Sequence, residues 1–254
     1  MSGRPYVLSE TPWSTIRETE YQVAVLPWGA TEAHNLHLPY GTDNFESESL
    51  AVEAARIAWG NGARVVVLPC VPFGVNTGQL DIRLCINMNP STQAALLSDV
   101  VASLEGQGIR RLVVLNGHGG NDFRQMIREL QPHTAVFLCT INWWQIVPAA
   151  DYFAEPGDHA GELETSVMLR VAPGLVRPLS EAGVGAAKRP KIAAFREGWA
   201  WAPRPWTQVT SDTGIGDPAA ATVEKGERYV SAVTGRIAEL LVELSAADTA
   251  DLYD

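Results

Sequence analysis

Four short apolar runs recur along the chain at intervals that leave room for a helix between them: YQVAVLPW (21–28), ARVVVLP (63–69), RLVVLN (111–116) and TAVFLCT (134–140). Each is apolar on both alternating faces and too brief for a buried helix, so each reads as a strand covered on both sides. Between them lie helical patterns. Residues 44–58 carry Leu50, Ala51, Ala54, Ala55, Ile57 and Ala58 on one side, and 91–105 carry Leu96, Leu97, Val100, Val101 and Leu104. Asn121 is placed to cap a third helix, DFRQMIREL, and 222–244 forms a fourth. Strand and helix alternating in this way predict an α/β fold, a three-layer α/β/α sandwich with a mostly parallel sheet. At 254 residues, one domain over 1–254 is the expectation.

In such sheets ligands bind beyond the carboxyl ends of the strands, which directs attention to the residues after each run. After the first comes GATEAHNLHLPYGTD (29–43), too rich in Gly and Pro for one helix. Glu32 and His34 are two apart, so on an extended chain both point the same way. Asp43 opens the next helical run, and its two oxygens suit it to bridge two cations. After the third run, NGHGGN supplies His118, with Gly119 and Gly120 free of Cβ crowding so that backbone can pass close to an ion or substrate. A third segment, DHAGELETS (158–166), offers His159, Glu162 and Glu164 ahead of a helical run. Histidines and carboxylates without thiolates suit zinc, manganese or iron in a catalytic site.

Plainer readings stand beside these. His133 in QPHT reads as polar surface, His37 as a support to a ligand or a cap of its own loop, and Glu164 equally as a helix N-terminal carboxylate favoured by the dipole. Cys70, Cys85 and Cys139 are odd in number and unpaired in spacing, which points away from disulfides and thiolate zinc sites. A formal charge of −10 argues against nucleic acid or an anionic membrane as partner. The N-terminal residues lack a signal core and no apolar run approaches a membrane span, so a cytoplasmic location is expected. No GxSxG elbow, Walker A loop or GxGxxG fingerprint occurs. Residues 173–218 are rich in Gly and Pro and carry Trp199, Trp201 and Trp206; they read as a long excursion that covers the site, fills a subunit interface, or packs on itself.

The three His-bearing segments, in this order, resemble the creatininase (creatinine amidohydrolase) family, whose pattern is G-x-x-E-x-H-G-x-H-L-P-x-x-T-D, then N-G-H-G-G-N, then H-A-G-E-x-E-T-S; GDPAAATVEKGE (216–227) is also family-like. The resemblance implies a creatininase-like parallel-sheet fold, a two-metal site with two divalent ions, zinc first and manganese or iron next, and a homo-oligomer, commonly a hexamer. It implies one metal on Glu32, Asp43 and His118 and a second on His34 and the shared Asp43. Creatinine-hydrolysing members place a Glu two residues after the motif His, where this chain has Gly120; Glu162 is the expected replacement ligand.

The substrate implied is a small molecule with a C–N bond of an amide, cyclic amide or formamide, cleaved by a metal-activated water. His159 is expected to pass a proton to the leaving nitrogen, Glu162 to share in catalysis, and Glu164 to orient a ligand or substrate. His37, Gly119, Gly120, Asn121, Trp143 and Trp144 are expected to support the site or line it. Creatinine itself is disfavoured, because AEPGDH lacks the Trp that creatinine-hydrolysing members carry before the second His, and because Ala33, Asn35 and Leu36 replace the usual Gln, Gly and Pro. The stretch VPFGVNTGQLDIRLCINMNPST likewise departs from a family pattern with His and F-P-G-T. HGGN-type members include a deformylase and a peptidase of mycofactocin maturation, so the alternatives are a maturation peptidase or a non-catalytic metal-binding scaffold.

Overall fold

The computed structural model describes residues 3–253. Its elements run α1 (Trp13–Ile16), β1 (Val23–Trp28), α2 (Thr42–Gly60), β2 (Val65–Val67), α3 (Pro90–Gly106), β3 (Arg111–Asn116), α4 (Phe123–Leu130), β4 (Phe137–Asn142), α5 (Glu162–Val171), α6 (Ala193–Glu197), α7 (Trp206–Val209) and α8 (Val223–Ala246), with short 3-10 turns interspersed. The four strands pair in the order β2-β1-β3-β4, all parallel. Every residue of β1 and β2 is buried, as strands apolar on both faces require. One face packs Val23, Val25, Val113 and Leu115 against α2, α5 and α8; the other packs Ala24, Leu26, Leu112 and Val114 against α3 and α4. The result is the expected three-layer α/β sandwich.

The strand edges shift by up to three residues from the apolar runs, most at the last, which begins at Phe137 because Thr134–Val136 turn in from the preceding 3-10 turn. The expectation that Asn121 caps α4 is not met. Asp122 is the cap, its carboxylate accepting from Arg124 N, and Asn121 is spent inside the loop instead. Thr222 caps α8, accepting from Lys225 N. Among the described residues, no helix is long and apolar enough to cross a membrane.

Two crossovers deliver the functional loops to one end of the sheet. Residues 29–41 leave β1 and run into α2, and residues 117–122 leave β3 and run into α4. Asn35 takes a left-handed conformation (φ 54°), tolerable for Asn where the family pattern has Gly. Its side chain then fastens the loop to the 173–218 excursion: Oδ1 accepts from Gly183 N at 2.8 Å and Nδ2 donates to Gly183 O at 2.9 Å.

Candidate active site

Glu32, His34, Asp43, His118, His159 and Glu164 come from three segments and meet beyond the carboxyl ends of β1 and β3. His118 Nδ1 lies 2.9 Å from Glu32 Oε1 and 3.0 Å from Asp43 Oδ2, and His34 Nε2 lies 2.8 Å from Asp43 Oδ1. His159 Nδ1 is 3.8 Å from Glu32 Oε1, and its ring centroid is 4.2 Å from that of His34. Three groups have ligand atoms within 4.8 Å of one another: Glu32–Asp43–His118, His34–Asp43–Glu164 and Glu32–His34–His159. Two carboxylates are common to two groups each: Asp43 to the first and second, Glu32 to the first and third.

Each imidazole has one nitrogen committed to a backbone carbonyl. His118 Nε2 donates to Val75 O at 3.1 Å, His159 Nε2 to Ala33 O at 2.8 Å and His34 Nδ1 to Glu32 O at 3.2 Å. A carbonyl only accepts, so each bond fixes the proton on that nitrogen and turns the other toward the carboxylates. This is the arrangement that orients histidines on a metal. His34 Nε2 and Asp43 Oδ2, both buried, have no hydrogen-bond partner of acceptable geometry. Nitrogen and oxygen donors with orphaned buried atoms fit a divalent cation.

The electrostatics agree. Burial pulls the His34 imidazole down, but the Asp43 carboxylate, with Glu164 and Glu32, outweighs it and raises the group to about 10. His118 is likewise raised, burial being overcome by Glu32 and Asp43. Burial pushes Glu32 and Asp43 up, yet their imidazole neighbours hold both below the usual carboxylate range. The imidazoles and carboxylates thus stabilise one another's charged forms, a balance that a cation bound between them would also supply. Glu164 is held up by its burial, and Ala160 N donates to it.

Glu162, the expected last ligand, stands elsewhere. Lys225 Nζ and Glu155 N donate to its carboxylate, at 3.0 Å for the latter, and it enters none of the three groups. Two residues along an α-helix turn about 200°, so when Glu164 faces the site Glu162 faces away. Glu164, expected as a support, lies in the ligand group. Asn121 braces the loop: its Oδ1 accepts from Val75 N and Gln93 Nε2, and its Nδ2 donates to Asn116. His37 is buried behind the site, its Nε2 2.9 Å from Thr165 Oγ1. His133 lies on a 3-10 turn and enters none of the three groups.

The site opens into a cavity of about 400 Å³ lined by Glu32, Asp43, His118, Gly119, Gly120, His159 and Glu164 at its foot. Trp143 and Trp144 line it, and so do Trp201, Arg204 and Trp206 of the excursion, which therefore forms part of its wall. Trp206 is buried edge-on to His159, and Arg204 pairs with Asp158 at 2.6 Å. Two residues escape the sequence. Gln79 donates to Glu32 Oε2, and nothing in its surroundings in the chain marks it. Glu46 is buried with both oxygens unpartnered, and burial, with Glu164 and Asp43 nearby, pushes its carboxyl well above the usual carboxylate range. Its spacing of three from Asp43 on α2 is the signal that could have found it.

The family model for creatinine amidohydrolase, Creatininase, matches residues 9–241. A mycofactocin precursor peptide peptidase of Mycobacterium tuberculosis is 28% identical over 82% of this chain and 80% of its own, and a creatinine amidohydrolase of Pseudomonas putida is 27% identical over 87% and 89%. A creatinine amidohydrolase-like protein from Bacteroides fragilis is 45% identical, with each chain covered to 99% and a TM-score of 0.93. A manganese form of creatininase superposes with a TM-score of 0.77 at 23% identity, over 95% of this chain and 99% of its own, and so shares the fold. A match over residues 9–241 takes in every segment that builds the cavity, and the chain belongs to the creatininase family.

Proposed function

We propose that the protein hydrolyses the C–N bond of an amide, cyclic amide or formamide, with two divalent cations held by Glu32, Asp43 and His118 on one side and by His34, Asp43 and Glu164 on the other. The observation that carries this reading is the set of imidazoles, each fixed through one nitrogen by a backbone carbonyl, with His34 and His118 turned onto Asp43 and His118 and His159 onto Glu32. When bound, such cations supply a water that ionises near neutral pH and a polarised carbonyl.

The chain's own residues do the rest. His159 keeps its Nε2 proton on Ala33 O, so its Nδ1, facing the cavity, is free to take a proton and hand it to the leaving nitrogen. Gly119 and Gly120 line the cavity beside His118, where their backbone N–H groups would serve a developing oxyanion. Trp143 and Trp206, both buried, exclude water from the cavity wall and, with Trp144, offer planar faces, while Asn76 gives a polar contact. The protein acts as a homo-oligomer on this reading.

The test is metal analysis of the purified protein, followed by a turnover screen of cyclic amides, formamides and short peptides with and without chelator. Metal-dependent turnover of one class is expected; cleavage confined to peptides would select the peptidase reading suggested by the mycobacterial relative. No bound metal and no turnover across the panel would leave the non-catalytic scaffold.

A further inference from the structure

Glu32 uses its two oxygens differently. Oε1 faces His118 Nδ1 at 2.9 Å and His159 Nδ1 at 3.8 Å, whereas Oε2 accepts from the side-chain amide of Gln79. Gln79 is buried. Its amide has a defined sense, because Cys85 Sγ donates to its Oε1 at 3.2 Å and Cys85 Sγ in turn accepts from Ala33 N at 3.3 Å. Turning the amide over would set a carbonyl oxygen against the carboxylate and lose both contacts.

The 3-10 turn that carries it, Thr77–Gln79, is fixed from the far side by the excursion. A Cβ on Gly78 would lie 2.2 Å from Arg204 O, so the wall backbone sits directly on the turn, and Thr207 Oγ1 donates to Asp81 at 2.5 Å just beyond it. Gln79 therefore has little room to move away from Glu32.

We propose that Gln79 is a positioning residue for Glu32: its N–H occupies Oε2, so that Glu32 offers only Oε1 to the cation held with Asp43 and His118. A neutral amide does this without adding charge to a site already rich in carboxylates, and without competing for the ion. The inference rests on the two-metal reading above and adds a residue to it.

The test is competition of Zn²⁺ against a chromophoric chelator, run on the full-length wild type, Gln79→Leu and Gln79→Asn, with a thermal melt to show that each variant folds. Asn keeps the chemistry but falls one methylene short. Both variants are expected to bind one ion with wild-type affinity and the other about 10 to 100-fold more weakly, the range for loss of an outer partner of a ligand. In turnover, kcat falls while KM holds. A residue that only fills space would not weaken one ion selectively. Wild-type affinity for both ions in Gln79→Leu and Gln79→Asn overturns the assignment and leaves the two-metal reading standing; a wild type that binds no Zn²⁺ overturns both.

Discussion

Gly120, two residues after His118, is a position where no side chain can be added without cost. A Cβ built on Gly120 lies 2.3 Å from Val75 O and 2.4 Å from His118 Nε2, the two atoms whose hydrogen bond fixes the His118 tautomer. Both are held firmly, Val75 by its N–H on Asn121 and His118 by burial, so van der Waals contact requires them to part by roughly 1 Å. Gly120→Ala is therefore expected to break the His118–Val75 bond. Its cost divides into overpacking, about 1–3 kcal/mol of fold stability, and loss of the ligand's outer partner, about 10 to 100-fold in metal affinity, or about 1.4–2.8 kcal/mol. Gly119→Ala is the matched control, since a Cβ there meets nothing within 4 Å. It should stay within about 0.5 kcal/mol of wild type. Chelator competition and thermal melts on the two variants, side by side, decide the matter. If Gly120→Ala matches Gly119→Ala in both, the close approach of Val75 does not govern His118, and the geometric account of the loop is wrong.

Asp43→Ala removes a carboxylate common to two ligand groups and should abolish binding of both ions; full metal content by elemental analysis would refute the bridge. His159→Ala should keep its metal while turnover falls about 10² to 10⁴-fold, the usual scale for a general acid or base, and undiminished turnover would remove it from the mechanism. Glu162→Gln should leave metal content intact and reduce stability through the lost Lys225 pair, whereas Glu164→Gln should lose one ion; the opposite pattern would restore Glu162 as the ligand. For the apoprotein in chelator, burial and the neighbouring His34 lower His37 from 6.5 to about 4. Its contribution is thus complete above pH 6.5 and fades as pH falls toward 4, by about 3 kcal/mol in all. Denaturant melts across that window should show a shallower slope in His37→Gln, and an unchanged slope would show that His37 does not titrate on unfolding.

Much of this protein is written locally. Apolar runs such as ARVVVLP can only be buried strands, because period and length are properties of a few consecutive residues, and their alternation with helical patterns dictates a parallel sheet. That order also points to the ends of β1 and β3, so GATEAHNLHLPYGTD and NGHGGN could be singled out without coordinates. The choice between Glu162 and Glu164 could not be made so, since it depends on the rotational phase of α5 against the sheet, and a phase is set by packing with α2 and α8. Asn121 carries a capping residue's chemistry, yet the proximity of Val75, Gln93 and Asn116 claims it for the loop. Gln79 meets Glu32, and Arg204 meets Gly78, across separations that no periodicity reports. Composition and spacing determine which side chains are available for chemistry; the tertiary structure alone decides which of them converge, because convergence is a long-range property of how the layers pack.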